Sequence, residues 1–260
     1  MIVVVPVDPP RDGLVLSSLA ETTPLSLPDA RRLYEAATAD VVRTVVSSGG
    51  ELLVNYRDEE TLPMDDGVGG GIGDEETETD AETEVRTLVT DALGEDVLEA
   101  EDVRFERQVG STRAARVGNT VTHLLEEEDH ASVGVLEPTT PLVARTEIDG
   151  AAMTIRRNEV VLGPAPAGRV YFACFAEPID FTDAYATPEL GTLATHGADA
   201  GLNVGFAPML PTVATEADLC STIAGLEARR AAGRPVPEAT AAVVDELGIV
   251  VEDGPTIVRG

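Results

Sequence analysis

Three polar residues directly follow a short apolar run in the middle of the chain. The run at 131–136 has the composition of a buried strand, and Glu137, Thr139 and Thr140 come soon after it. In an α/β sheet, ligand contacts are usually made by residues just past the strand ends. Glu137 could act as an acid or a base, and the two hydroxyls could contact a ligand. The alternatives are an exposed loop carboxylate and threonines that cap a turn or the next helix.

Two arginines near another predicted strand end could bind phosphate. Arg113 and Arg116 lie in a glycine-containing stretch that follows the predicted strand at 103–109 and opens a helix. A guanidinium group presents a fork of donors that suits phosphate oxygens. The glycine spacing matches neither a P-loop nor a dinucleotide fingerprint, so a chance arrangement is the alternative.

Loops in the second half of the chain supply further candidates. Gly168 and Arg169 lie where a turn rich in glycine and proline meets the predicted strand at 169–175. Asp180 and Asp183 occupy a later loop, where carboxylates could face a pocket. We treat all four as candidate ligand-binding residues.

Apolar runs alternate along the chain with stretches of helical spacing. The predicted strands lie at 2–7, 51–56, 103–109, 131–136, 159–162, 169–175 and 202–207. The predicted helices lie at 28–47, 83–93, 110–125, 145–156, 188–200, 216–231 and 237–247. Helices between strands imply crossover connections, which predict an α/β fold with a mostly parallel sheet. We expect one domain at 1–230 and a helix-and-hairpin extension at 231–260.

The segment at 58–84 differs from the rest of the chain in composition. It consists almost entirely of Asp, Glu, Thr and Gly, so it has little apolar area to bury. We predict a disordered acidic insertion within the domain. A calcium loop is the alternative, but the ligand spacing of an EF-hand is absent.

The charge balance restricts the possible partners. The chain has 47 acidic residues and 18 basic ones, all of them arginine, which gives a net charge of -29. Such a protein repels nucleic acids and anionic membrane surfaces, so we expect neither as a partner. The composition resembles that of cytosolic proteins from salt-loving archaea, where molar salt screens the repulsion. The first apolar run at 2–7 predicts a strand rather than a signal peptide, and a cytoplasmic protein is expected.

Several motifs together resemble one known family. They are the stretches at 135–142, 159–164, 168–175, 185–188 and 211–219. The pattern is similar to that of GT-A type nucleotide-diphosphosugar transferases, specifically a small prokaryotic family of glycosyltransferases of cell-wall biogenesis. The resemblance extends over most of the chain and implies a Rossmann-like GT-A fold. It also implies a nucleotide or nucleotide-sugar ligand.

The resemblance implies a Mg²⁺ or Mn²⁺ cofactor, but its ligands are missing here. The family's Asp that helps to hold the metal corresponds to Thr139, and Ala167 and Ala214 replace two further carboxylates. In such transferases the metal neutralises the departing diphosphate. The available substitutes are the arginines already named, together with one in the first loop, Arg11. We therefore predict no metal ligands in this chain.

Three functions are compatible with these residues. The first is a transferase of glycosyl or nucleotidyl groups in which arginines grip the phosphates of the donor. The second is a non-catalytic descendant that binds a ligand or a partner, and the third is an interaction protein that uses the acidic insertion. For the transferase, we expect Thr139, Arg169 and Thr212 to lie near one another at one donor cleft.

Overall fold

The computed structural model describes residues 1–62, 80–101, 103–252 and 254–260. Most of the predicted acidic insertion, at 63–79, lies outside the described residues. At its far end, Glu84 belongs to the first turn of a helix that begins at Ala81, two residues before the expected start. In the described residues, no helix has both the length and the apolar composition needed to cross a membrane.

A seven-stranded mixed sheet forms the centre of the molecule. Its strands are β1 (Ile2–Val7), β2 (Glu51–Tyr56), β3 (Arg104–Arg107), β4 (Val133–Leu136), β5 (Val160–Ala165), β6 (Arg169–Phe175) and β7 (Val204–Phe206). The spatial order is β3-β2-β1-β4-β6-β5-β7. Strand β6 runs antiparallel to both of its neighbours, and the other pairs are parallel. The predicted α/β fold with a mostly parallel sheet is confirmed.

Helices cover both faces of the sheet. They are α1 (Ser17–Thr22), α2 (Leu27–Ser48), α3 (Ala81–Leu93), α4 (Glu95–Ala100), α5 (Arg113–Glu126), α6 (Arg145–Thr154), α7 (Glu189–Asp199), α8 (Glu216–Ala231) and α9 (Glu238–Leu247). Alternate residues of β1 face opposite layers, with Val3 and Val5 in the cluster that includes α2, and Ile2 and Val4 in the cluster that includes α5. Sequence periodicity missed α1 and α4, because six residues are too few to show a helical repeat.

The reversal of β6 depends on a tight turn at its start. The turn Pro166–Gly168 places Ala167 at φ 60° and Gly168 at φ 74°, two consecutive left-handed conformations. Glycine adopts this conformation at little cost, and the turn lets β6 fold straight back along β5. Gly168 therefore has a structural role in the turn.

The last segment of the chain forms helix α9 and a hairpin. Strands β8 (Ile249–Glu252) and β9 (Thr256–Arg259) pair antiparallel, as the sequence predicted. Val244 and Ile257 of this segment share an apolar cluster with Leu33 of α2. The extension is thus packed against the same helix that covers the sheet.

Candidate functional site

A cavity opens where the chain changes direction across the sheet. Strands β1 and β4 are neighbours, but the chain leaves β1 towards β2 and leaves β4 towards the opposite edge. Between the loops that follow these two strands lies a cavity of about 230 Å³. Such a switch point, at the carboxyl ends of parallel strands, is where open α/β sheets bind ligands. We call this space the switch-point cavity.

Each of the four neighbouring parallel strands contributes one polar side chain to the lining. They are Asp8 after β1, Asn55 near the end of β2, Gln108 after β3 and Glu137 after β4. Gln108 links two of these positions, because its Nε2 donates to the Asn55 carbonyl oxygen at 2.7 Å. The strand order thus brings together residues that are distant in sequence.

Glu137 is held by Arg113, the first residue of α5. The guanidinium group of Arg113 donates to the Glu137 carboxylate and lies 3.9 Å from Glu189, with its carbon 4.7 Å from the centre of the Tyr185 ring. Burial raises the pKa of Glu137, although Arg113 opposes the shift. Burial would lower the pKa of Arg113, but the two carboxylates outweigh it and raise that pKa. The positive charge of Arg113 is therefore matched within the protein.

Asp8 also lines the cavity, and its surroundings disfavour its negative charge. Its carboxylate is 3.5 Å from Arg57, and its backbone N–H donates to the hydroxyl of Tyr34 at 2.9 Å. Burial raises the pKa of Asp8 above its ordinary value, and Arg57 and Arg116 reduce the shift. The two cavity carboxylates therefore both bind protons more readily than exposed carboxylates do.

Arg116 has no comparable partner. Its Nε donates to the side-chain oxygen of Gln108 at 2.7 Å, but in the described parts of the chain no carboxylate oxygen lies within 4.0 Å of its guanidinium nitrogens. Burial lowers the pKa of Arg116, repulsion from Arg57 and, to a smaller extent, from Arg113 adds to the shift, and attraction to Asp8 opposes it only in part. A lowered pKa means that the surroundings disfavour its positive charge. An anion in the cavity would relieve this.

The similarity of this chain to known proteins lies in its structure. No model of a known family and no curated protein sequence matches it. It is similar to a provisionally named nucleotide-diphospho-sugar transferase from Desulfovibrio desulfuricans G20, with 17% identity over 94% of each chain and a TM-score of 0.69. A cytidylyltransferase from Leptospira borgpetersenii superposes more loosely, with 11% identity over 94% of this chain and 93% of that chain and a TM-score of 0.44, and it supports no inference. The chain has a nucleotide-diphospho-sugar transferase-like fold.

Within this transferase-like fold, the loop after β4 borders the cavity only in part. Thr139 lines the cavity, and its carbonyl oxygen accepts the N–H of Val213 at 2.8 Å. Ala214, which follows Val213 and precedes α8, also lines the cavity. Thr140 is fully buried, and its hydroxyl has no hydrogen-bond partner in the described residues. Thr140 therefore lies behind the lining, and its hydroxyl neither borders the cavity nor caps a turn within the described residues.

Thr139, Arg169 and Thr212 lie near one another, but of the three only Thr139 lines the cavity. Arg169 makes an ion pair with Asp218, which is 1% exposed, and it lies 3.4 Å from the Thr212 hydroxyl. Thr212 in turn donates to Asp218 at 3.1 Å. This internal cluster ties β6 to the start of α8, so Arg169 and Thr212 are engaged in holding the fold together, outside the cavity lining.

Three other candidates also lie away from the cavity. The guanidinium group of Arg11 donates to the carboxylates of Glu59 and Glu84. These two residues lie near the two ends of the acidic segment, so Arg11 connects its ends. Asp180 accepts the N–H of Thr182 at 2.8 Å in an exposed turn, and Asp183 is exposed with φ 54°. Local turn geometry accounts for both aspartates.

Sequence reasoning missed part of the lining. Asp8 directly follows β1, Asn55 is one residue before the end of β2 and Gln108 directly follows β3; the sequence predicted β1 and β2 at these positions but extended β3 to residue 109. Their shared position at strand ends was a usable signal.

The lining does not fit a dedicated divalent-cation site. Magnesium and manganese prefer several oxygen ligands, with carboxylates supplying the charge. Here Glu137 and Asp8 each face an arginine, and residues 1–62, 80–101, 103–252 and 254–260 contain no group of three or more His, Cys, Asp or Glu side chains arranged to hold a metal. We therefore assign no step to a metal.

Proposed function

We propose that the switch-point cavity binds the phosphate groups of a nucleotide-diphosphate donor, and that the protein is a transferase of glycosyl or nucleotidyl groups. The observation that carries this proposal is Arg116. Arg116 lines the cavity near two other arginines, no described carboxylate oxygen lies within 4.0 Å of its guanidinium nitrogens, and the more distant Asp8 opposes the lowering of its pKa only in part. A phosphate oxygen would supply the missing charge.

The three arginines near the cavity would have different tasks. Arg113 is already matched by Glu137, so it would hold that side chain in place and contribute little net charge to a ligand. Arg57 is 3.5 Å from Asp8 and is matched in part. Arg116 would therefore make the principal contact with phosphate, assisted by Arg57.

The size of the cavity suits one part of such a donor. Ligand pockets commonly measure roughly 300–1,000 Å³, and the switch-point cavity has about 230 Å³. A second hollow of about 640 Å³ lies beyond Gln108, lined by Arg57 and Arg107 among others. We propose that the diphosphate occupies the switch-point cavity and that the rest of the donor extends into this hollow.

Charge neutralisation would then come from guanidinium groups. Donors placed in advance at the site of developing charge stabilise a transition state strongly, and arginine can supply them without a metal. Glu137, with its raised pKa, would be the candidate acid or base beside the reacting group. These roles are proposals for a site in which the usual metal ligands of the resembled family are replaced.

A binding experiment tests the proposal directly. The purified protein would be titrated with UDP-glucose, CTP and GTP in molar KCl, with the thermal midpoint and calorimetric heat as readouts. We expect at least one nucleotide to bind, and Arg116→Gln to weaken its binding more than tenfold because the phosphate contact is lost.

Arg157→Gln serves as the matched control for this experiment. Arg157 is an exposed arginine just beyond α6 and outside the cavity lining, so its replacement removes the same charge without touching the site. The affinity of the Arg157→Gln protein for the nucleotide should equal that of the unaltered protein. Failure of every nucleotide to bind at millimolar concentration would overturn the proposal.

The non-catalytic alternative has one observation in its favour. Both carboxylates of the cavity are paired with arginines, so each can hold the lining together without acting on a ligand. Release of nucleoside diphosphate or pyrophosphate, followed with the nucleotide that binds, separates the two functions. Binding without release, across a panel of sugar and phosphate acceptors, would favour the binding protein.

A further inference from the structure

A second cavity, remote from the switch point, is lined by arginines. It measures about 500 Å³ and lies between α2, the loop that leads into α6, and the loop between α8 and α9. Four arginines line it, Arg43, Arg145, Arg229 and Arg234. We call it the arginine cavity.

This concentration of positive charge runs against the composition of the chain. Acidic residues outnumber arginines 47 to 18, so a chance hollow in this surface should be lined mainly by carboxylates. Asp40 and Glu238 are the acidic side chains that border it. The arginine cavity is therefore a local reversal of the overall charge.

The charge of Asp40 is already used inside the fold. Its two carboxylate oxygens accept the backbone N–H groups of Ala239 and Thr240 at 3.1 and 2.8 Å, which caps the start of α9. Arg43 lies 3.5 Å from the same carboxylate. Asp40 thus fixes one wall of the cavity and is not available to neutralise the remaining arginines.

The other arginines differ in how firmly they are held. Arg229 donates to the carbonyl oxygen of Leu142 at 2.7 Å, which anchors it to the loop before α6. Arg145 lies 3.0 Å from Asp149 on the exposed side of α6. Arg234 is exposed, and its guanidinium group makes no hydrogen bond or ion pair with the residues that the structure describes. Charge without an internal partner therefore remains at the rim.

We infer that the arginine cavity binds a small molecule that carries a phosphate group. Guanidinium forks that approach from three chain segments suit a tetrahedral dianion, whose oxygens point in several directions. The volume falls within the usual range for small-molecule pockets of roughly 300–1,000 Å³. A long polyanion is a poor candidate, because the net charge of -29 repels it outside the cavity. The inference does not depend on the function proposed for the switch-point cavity.

The test must separate the two cavities, because one loop borders both. Thr139 lines the switch-point cavity, and Val143 and Ala144 line the arginine cavity. Inorganic pyrophosphate would therefore be titrated into the Arg116→Gln protein by calorimetry at fixed ionic strength. We expect residual binding, and we expect the added double substitution R145Q/R234Q to weaken it at least tenfold.

A matched pair of arginines near the end of α6 provides the control. R156Q/R157Q removes the same charge from exposed positions that do not line the cavity, and it should leave the affinity within a factor of two. If R145Q/R234Q lowers the thermal midpoint, Arg234→Gln alone is compared with Arg157→Gln in the same titration. Arg234 is exposed and has no partner among the described residues, so its replacement should leave the fold intact.

Two results would overturn the inference. One is equal pyrophosphate affinity in R145Q/R234Q and R156Q/R157Q. That result would show that any loss of affinity follows from the lower number of positive charges and not from the arginine cavity. The other is equal binding of malonate and pyrophosphate, which would assign the cavity to dicarboxylates. Binding of malonate at least tenfold weaker than that of pyrophosphate supports the phosphate class.

Discussion

Two arginines of this protein lie near the same sheet edge and have opposite surroundings. Arg169 is paired with Asp218, a carboxylate that is 1% exposed, and this pair also involves the hydroxyl of Thr212. Arg116 has a neutral partner in Gln108 and two arginines nearby. Sequence reasoning treated the two as equivalent candidates for phosphate binding, and the structure separates them.

The difference shows which arginines are available to a ligand. A guanidinium group whose charge is matched inside the fold would have to give up that partner to bind phosphate, and a buried carboxylate left behind is costly. A guanidinium group whose charge is unmatched gains on binding. The carboxylates that already pair with an arginine are therefore a better guide to whether it can bind a ligand than its position in a sequence motif.

The largest effect should follow from breaking the matched pair. Arg169→Gln leaves Asp218 buried without a cation, and we expect the free energy of unfolding to fall by about 3 kcal/mol. Urea denaturation measures this loss. Arg259→Gln, which breaks a more exposed pair with Asp29, should cost less than about 1 kcal/mol. Equal losses in the two variants would contradict the structural role given to Arg169.

Carboxylates added to the switch-point cavity should have a smaller effect that a metal reverses. Thr139→Asp with Ala214→Asp adds two acids beside Glu137, and we expect a loss of about 1–2 kcal/mol through like-charge repulsion and burial. Millimolar Mg²⁺ should restore part of this loss by binding the folded state.

The neutral variant T139N/A214N is the control for these added charges. It should show no stabilisation by Mg²⁺ in thermal denaturation, because it lacks the acidic oxygens. A T139D/A214D protein that is equally indifferent to Mg²⁺ would mean that the two positions do not face a common point. That result would also weaken the comparison with metal-dependent transferases.

Removing the unmatched arginine should change stability little and in the opposite direction. Arg116→Gln relieves burial of a charge and repulsion from Arg57 and Arg113, which together outweigh the lost attraction to Asp8, and it leaves a hydrogen-bonding group near Gln108. We expect the free energy of unfolding to stay the same or rise by up to about 0.5 kcal/mol without ligand. A fall of more than 1 kcal/mol in urea denaturation would place Arg116 with Arg169, as a structural residue.

The positions of the strands and helices could be predicted from the sequence, but the pairs that their side chains form could not. Strand and helix positions follow from local periodicity, which is why β1, β2, β6 and α8 begin and end where expected. The partner of Arg169 lies 49 residues away at Asp218, and nothing local signals that they meet. Asp8 and Glu137 come together only because β1 and β4 are neighbours, which is a property of strand order.

The smallest expected effect is a change of stability with pH. It tests whether the cavity carboxylates are less well matched by arginines than Asp218 is. Burial raises the pKa of Glu137 and of Asp8 above their ordinary values of 4.5 and 3.8. A raised pKa means that, at pH values just above these, the folded state binds more protons than the unfolded state. The contribution of both groups to the free energy of unfolding therefore falls as pH rises through this range. Asp8→Asn with Glu137→Gln removes this loss.

The stability of that double variant, relative to the unaltered protein, should therefore increase from pH 4 to pH 7. Asp218 and Arg169 are unchanged in both proteins, so their contribution cancels in the difference. Urea denaturation at several pH values measures the trend. A difference that stays constant or decreases with pH would show that Arg57 and Arg113 outweigh burial at the cavity. The cavity carboxylates would then be as well matched as Asp218, and the contrast between the two regions would rest on Arg116 alone.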